Sequence, residues 1–139
     1  MVATLIAHKA NVHLVDNYGW SPLHRAAMYN HVEAINALLK GGANVNQLDN
    51  YQQSPLLKAA MENHVKAINA LVEAGANVNQ LDEEQRSPLW EAARENHREA
   101  VTAVLDAGAD HHLGVSPLDS DHVKDGMKKF IRERASRSE

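Results

Sequence analysis

Histidine and carboxylate side chains are the groups in this chain that could bind a metal ion or exchange a proton. The sequence has 9 histidines and no cysteine, and its densest polar grouping is His111, His112, Asp119, Asp121 and His122. Imidazole and carboxylate ligands suit a transition metal, although this grouping lacks the i, i+4 histidine pair of a recognised metal motif. A small metal-dependent activity is therefore one hypothesis; we favour the alternative that the chain holds no metal and no cofactor.

Nucleophile and phosphate-binding motifs do not occur in the sequence. There is no G-x-S-x-G, no P-loop and no G-x-G-x-x-G, and Gly41-Gly42 is typical of a helix end rather than a phosphate cradle. Ser21, Ser54 and Ser87 each precede a proline, where a serine oxygen is occupied in capping a helix. We do not expect the chain to be an enzyme.

Three of the histidines, His31, His64 and His97, recur every 33 residues, which indicates a structural cause. The same spacing relates three segments that each read Asp-x-x-x-x-Ser-Pro-Leu, at 16–23, 49–56 and 82–89. A fixed period in this range predicts a solenoid of stacked repeats, in which each repeat buries its apolar face on its neighbours.

A single repeat, residues 49–81, predicts two helices. Ser54-Pro55 is a helix start. Asn63 favours a left-handed turn and His64 opens a second helix, which Gly75 ends. Glycine in place of Asn63 is expected to be neutral or slightly stabilising, and valine clearly destabilising, because its branched Cβ disfavours the turn.

The repeat resembles the ankyrin repeat, whose pattern is roughly D-x-x-G-x-T-P-L-H-x-A-A-x-x-G-H-x-E. The first copy here reads Asp16-x-x-Gly19-x-Ser21-Pro22-Leu23-His24-x-Ala26-Ala27-x-x-Asn30-His31-x-Glu33. The resemblance implies an all-α solenoid of stacked antiparallel helix pairs with β-turn fingers, and a non-catalytic protein-interaction scaffold or adaptor. It also implies that the His24 ring ties one turn to the next.

The later copies depart from this pattern at two positions. Gln52 and Gln85 stand where the finger has glycine, so those turns are expected to differ in shape or to carry strain. Leu57 and Trp90 replace the motif histidine.

The period divides the chain into five units. The expected units are a partial N-terminal repeat at 1–15, full repeats at 16–48, 49–81 and 82–114, and a degenerate, charged capping repeat at 115–139. By the same period, the first unit holds only a second helix, so that Val2, Leu5 and Ile6 lack a partner within their own repeat. Either the chain is an excerpt of a longer protein or it begins with a half repeat that relies on repeat one; we favour the first, since an uncapped end exposes apolar surface.

In ankyrin proteins the partner usually meets the finger tips and the exposed side of the first helix, which form a concave face. Carried over to this chain, the predicted partner-binding residues are Tyr18, Trp20, Arg25, Met28, Tyr29, Tyr51, Gln53, Lys58, Met61, Glu62, Arg86 and Arg94. Tyrosine and tryptophan are enriched among binding hot spots, and methionine adapts to irregular partners. The alternative is that Tyr18 and Trp20 only prop one finger against the next.

Composition limits the class of partner. The formal net charge of -4 argues against nucleic acid as the main partner, no run of apolar residues is long enough to span a membrane, and the lack of cysteine fits an intracellular, cytoplasmic protein. A second hypothesis concerns the basic C-terminal stretch, which includes Lys128, Lys129 and Arg132 and could contact nucleic acid or anionic lipid. We favour a solvated cap for this stretch.

Overall fold

The computed structural model describes residues 14–138, which form helices in pairs. No strand occurs in this range. The first and second helices of repeat one are α1 and α2, those of repeat two α3 and α4, and those of repeat three α5 and α6; α7 is the C-terminal helix. Their bounds are α1 Pro22–Met28, α2 Val32–Lys40, α3 Pro55–Met61, α4 Val65–Glu73, α5 Pro88–Arg94, α6 Arg98–Asp106 and α7 Asp125–Ser138, with a 3-10 turn at Pro117–Asp119 before α7.

The first helix of each repeat begins at the predicted Ser-Pro pair. The hydroxyl oxygens of Ser21, Ser54 and Ser87 accept the backbone N–H three residues further on, at 3.3, 3.2 and 3.1 Å. Proline occupies the first helical position, where an N–H would have no partner. Serine capping and proline therefore fix the same start in all three repeats.

The turn between the two helices is left-handed in each repeat, as the asparagines predicted. Asn30, Asn63 and Asn96 have φ values of 59°, 59° and 60°. The second helices end at glycines with positive φ, of which Gly75 at 94° is the predicted example. These helix starts, turns and helix ends confirm the all-α solenoid of antiparallel helix pairs.

The core is a ribbon that runs along the stack rather than a central cluster. First helices pack on first helices, since α3 contacts both α1 and α5, and second helices pack on second helices in the same way. Leu23, Leu56 and Leu89 occupy one position of the repeat and are all buried. Alanines on the facing side of the first helices are buried too, which allows close approach of the backbones.

Asparagine side chains join neighbouring repeats at the start of the second helices. No capping hydrogen bond comes from the side chain of His64 or His97, the residues that precede α4 and α6. Instead, Asn30 Oδ1 accepts the backbone N–H of Ala67 at 3.2 Å, and Asn63 Oδ1 accepts that of Ala100 at 3.0 Å. Asn30 and Asn63 therefore each cap a helix of the following repeat.

A second series of asparagines lies in the loops that follow the second helices. Asn46 Oδ1 accepts the N–H of Asn77 at 2.8 Å, and Asn79 Oδ1 accepts that of Asp110 at 2.8 Å. Within one loop, Asn77 Oδ1 accepts the N–H of Asn79 at 3.0 Å. The asparagine ladder, as we call Asn46, Asn77, Asn79 and Asp110, links three successive loops by side-chain hydrogen bonds.

The C-terminal helix α7 closes this end of the stack. Val123, Met127 and Ile131 are buried, and α7 packs on α6. Arg98 of α6 lies over the ring of Phe130, 5.2 Å from its centroid. The apolar side of α7 thus covers repeat three, and Lys129, Arg132 and Glu133 of this helix are exposed.

Residues 1–13 lie outside the described part, and with them the expected half repeat and its apolar residues Val2, Leu5 and Ile6. None of the helices within 14–138 has the length and apolar character needed to cross a membrane.

Candidate functional site

Each finger is closed by its aspartate. Finger 1 is residues 16–20, finger 2 is 49–53 and finger 3 is 82–86. In finger 2, Asp49 Oδ1 accepts the N–H groups of Tyr51 and Gln53 at 2.9 and 2.8 Å. Asp16 and Asp82 bind their fingers in the same way. The aspartate therefore holds the tip of each finger in one conformation.

The Asp16 carboxylate also contacts Arg25, at 2.5 Å. Burial alone would raise the pKa of Asp16, but hydrogen bonds from the N–H groups of Trp20 and Tyr18 and from Arg25 lower it below its usual value. The carboxylate of finger 1 is thus held in its charged form.

The glutamines at the finger-glycine position keep the turn in its left-handed form. Gln52 and Gln85 have φ values of 60° and 66°, close to the 78° of Gly19. The expectation of an altered shape is therefore wrong, and the alternative of a strained turn is the one observed. Gly19 meets a further demand, because a Cβ there would lie 2.4 Å from Asn50 Oδ1.

Backbone hydrogen bonds join the fingers edge to edge. The N–H of Asn50 donates to Tyr18 O at 2.9 Å, and that of Glu83 donates to Tyr51 O at 3.1 Å. Val115 N–H donates to Gln85 O at 2.8 Å and so extends the series to the residues before α7. The three fingers form one continuous ledge.

Every tyrosine of the chain is exposed, and all belong to the predicted binding set. The chain has 3 tyrosines; Tyr18, Tyr29 and Tyr51 are 59%, 58% and 48% exposed. Tyr18 and Tyr51 occupy the same tip position of neighbouring fingers, and Tyr29 follows the end of α1.

Trp20 is half-buried and packs between the first two repeats. Its ring centroid lies 6.1 Å from that of Tyr18, and Lys58 Nζ of the next repeat lies 4.4 Å from it. The guanidinium of Arg25 approaches the same ring at 5.6 Å. These contacts favour a part for Trp20 in holding finger 1 against repeat two.

Lys58 was expected on the exposed side of α3, and this placement is wrong. The residue is 3% exposed, and its Nζ lies 3.1 Å from Asp49 Oδ2 and donates to Gln53 Oε1. The carboxylate of Asp49, the amide oxygen of Gln53 and the face of Trp20 offset the loss of water around this buried charge. Lys58 therefore offers no surface to a partner in this conformation.

Repeat three presents two arginines that are held by a buried tryptophan and a buried glutamate. Arg86 and Arg94 lie over the Trp90 ring at 4.6 and 5.4 Å, and Trp90 is 2% exposed. Glu91 Oε2 accepts from Arg94 at 3.0 Å. Arg86 comes from the finger and Arg94 from the helix end, so side chains of both elements share one face.

The remaining members of the set differ in exposure. Glu62 is exposed, and Met28, Met61 and Gln53 are half-buried. Glu91 occupies the helix position that Arg25 has in repeat one, but it is only 2% exposed. It pairs with both arginines that stack on Trp90. Trp90 itself is a structural residue that the sequence pattern marked only as a departure.

His24 ties finger 2 to repeat one, as the resemblance implied. Its Nε2 donates to the backbone oxygen of Gln53 at 2.9 Å, and its Nδ1 accepts the N–H of Ser21 at 3.0 Å. Burial is the main cause that lowers the pKa of this ring, although the Gln53 carbonyl acts in the opposite direction. His24 is thus a neutral structural histidine.

The histidines and aspartates proposed as metal ligands do not come together. The rings of His111 and His112 lie 4.0 Å apart, whereas His122 packs edge-on against Trp90 with centroids 6.4 Å apart. No three histidine or carboxylate side chains of residues 14–138 are arranged to hold a metal ion.

Two models of known protein families match the chain. A family model described as ankyrin repeats (3 copies) matches residues 41–114, and one described as an ankyrin repeat matches residues 18–50. No curated protein matches the chain.

Proposed function

Because the chain belongs to the ankyrin-repeat family, we propose that it is a non-catalytic scaffold that binds a partner protein through its finger–helix face. This face consists of the three fingers and the exposed side chains of α1, α3 and α5. Ankyrin repeats indicate a protein–protein interaction domain; the choice of face is our own.

The exposure of Tyr18, Tyr29 and Tyr51 carries the proposal. A folded chain with few aromatics would gain stability by burying these rings, as it does with Trp90. Exposed tyrosines are instead typical of binding surfaces, because each ring supplies a large contact area with little loss of side-chain freedom.

The rigidity of the fingers supports the same choice. Their tips are closed by Asp16, Asp49 and Asp82 and are joined by backbone hydrogen bonds. A surface that is already ordered loses less conformational entropy when a partner binds. The ledge is therefore suited to present its side chains in a fixed arrangement.

The test compares two sets of substitutions against a protein captured from an extract of the source cells. Replacing Tyr18 and Tyr51 by alanine should weaken binding by roughly 30-fold or more, which corresponds to a loss of about 2 kcal/mol. Neither ring is buried, so the unfolding midpoint should change little.

The second set neutralises Lys128, Lys129 and Arg132 to glutamine. Binding should be almost unchanged if the finger–helix face is the site. Loss of binding in this triple variant, with no effect of the tyrosine changes, would instead support contact through α7, and a steep dependence of affinity on salt would identify nucleic acid or anionic lipid.

A further inference from the structure

The finger–helix face changes its chemistry from one end to the other. The tip position reads Tyr18, Tyr51 and then Glu84 along the three fingers. The position that follows the first helix reads Tyr29, Glu62 and Glu95, the C-cap residues of α1, α3 and α5. Both rows pass from aromatic at repeat one to acidic at repeat three.

Within residues 14–138, the aromatic end includes a groove that is open to an apolar side chain. A cavity of about 490 Å³ is lined by Leu14, Val15, Trp20, Arg25 and Tyr29, among others. Leu14 and Val15 are 69% and 48% exposed. Among the described residues that line this groove, the charged ones besides the imidazole of His31 are Asp16 and Arg25, which pair with each other.

The acidic end carries charge that its own cations do not balance. Arg86 pairs with Glu84 and Glu91, and Arg94 pairs with Glu91 and Glu95. Glu62 and Glu83 are exposed as well, and neither has an ion-pair partner among the described residues. Glutamates thus outnumber arginines here, and a cationic partner would be attracted to this end.

We infer that the partner is a protein segment with an apolar anchor at one end and clustered lysine or arginine at the other. This inference rests on the proposed function, since it concerns the same face. The apolar anchor occupies the groove beside Trp20 and Tyr29, and the basic residues lie against the glutamates of repeats two and three.

Repeat spacing sets the distance between these two features. Packed helices lie about 8–10 Å apart, so finger 1 and finger 3 are separated by roughly 16–20 Å. An extended chain advances about 3.3 Å per residue. The basic cluster of the partner should therefore follow or precede its anchor by about five to six residues.

The test selects binders from a library of random 16-residue peptides displayed on phage, with the intact chain as bait. The selected peptides should be rich in lysine and arginine at about that spacing from a leucine or an aromatic residue. Selected peptides without this enrichment would overturn the inference.

Charge-matched variants then examine the acidic end with the synthesised peptides. Glu62→Gln with Glu83→Gln should reduce affinity by about fivefold at low salt, because two attractive charges are lost. The control is Glu33→Gln with Glu73→Gln, an equal charge change at exposed positions of α2 and α4, and it should leave affinity unchanged. Equal effects of the two double variants would also overturn the inference.

The tyrosine variants separate this inference from the proposed function. If peptides lose affinity for the Tyr18→Ala, Tyr51→Ala variant but show no preference for basic residues, the face is correct and the partner chemistry is wrong. If they bind that variant as well as the native chain, or if no peptide is selected, the face itself is wrong and both proposals fail.

Discussion

The side-chain oxygen of Asn63 accepts the backbone N–H of Ala100, a residue 37 positions further along the chain and one repeat away. Asn30 makes the equivalent contact with Ala67. Asn96 has the same positive φ but no such hydrogen bond within the described residues. The turn asparagine therefore has two separate functions, and the third copy retains only one of them.

Replacing Asn63 by glycine should destabilise the chain, contrary to what the turn alone predicts. Glycine relieves the positive φ but removes the cap on α6, and a lost helix cap costs about 1 kcal/mol. Asn96→Gly removes no described cap and should be neutral or slightly stabilising. Urea denaturation of both variants checks this; equal unfolding midpoints would exclude a capping function for Asn63. Asn63→Val should be worse than either, since its branched Cβ disfavours the turn.

The stability of repeat one should fall on acidification because of His24. The pKa of this histidine is lowered below 6.5 in the folded chain, mainly by burial, so the unfolded chain takes up the proton first. The contribution of His24 to the free energy of unfolding is thus complete above pH 6.5. It decreases as the pH falls from there to the pKa of the folded state.

His24→Leu should remove this part of the pH dependence, because leucine does not titrate. Leucine is chosen because Leu57 occupies the equivalent position in repeat two. Unfolding midpoints in urea between pH 7.5 and 5 provide the measurement. His31→Leu, which removes a histidine at an exposed position, is the control with which the change in slope is compared. An unchanged slope in His24→Leu would show that other groups cause the pH dependence.

The ion pair of Lys58 with Asp49 should contribute far more to the free energy of unfolding than its counterpart in repeat one. Lys58→Met leaves a buried carboxylate without its cation, and breaking a buried pair in this way costs about 3–5 kcal/mol. Arg25→Met breaks the equivalent pair with Asp16 at the surface and should have a much smaller effect. Thermal or urea unfolding distinguishes the two; similar losses would mean that burial does not determine the strength of these pairs.

Gln85→Gly should stabilise finger 3 by up to about 1 kcal/mol, because it relieves a left-handed residue whose strain exceeds the entropy that glycine loses on folding. Gln47→Gly is the control, since Gln47 is not among the residues with positive φ; that change should be mildly destabilising. Both are measured by chemical denaturation, and a loss of stability in Gln85→Gly would contradict the assignment of strain.

Local signals of the sequence predicted the fold well, since they repeat three times and act within a few residues. The pattern around Ser54-Pro55, Asn63 and Gly75 predicted one conformation at each position, and the structure has each residue in it. The burial of Lys58 could not be read in this way. A lysine on the expected outer side of a helix is ordinarily solvated, and its partners, Asp49 and Gln53, come together with it only when the finger folds back on the helix.

The sequence predicted which positions belong to the candidate site, but not which of their side chains are exposed or which contact one another. Trp90 stands where the motif has histidine, and nothing in its own neighbourhood indicates that Arg86 and Arg94 would both lie over its ring. The cross-repeat caps could not be predicted either, because a donor and an acceptor 37 residues apart come into contact only after the stack has formed.

The asparagine ladder has a consequence for how such a chain can grow. In residues 49–81, the N–H of Asn77 donates to the preceding loop, and Oδ1 of Asn79 accepts an N–H from the following loop. A duplicated copy of this unit would therefore meet matching groups at both of its borders. Lengthening the array by whole units leaves every junction chemically complete, whereas an insertion of any other length would break the series.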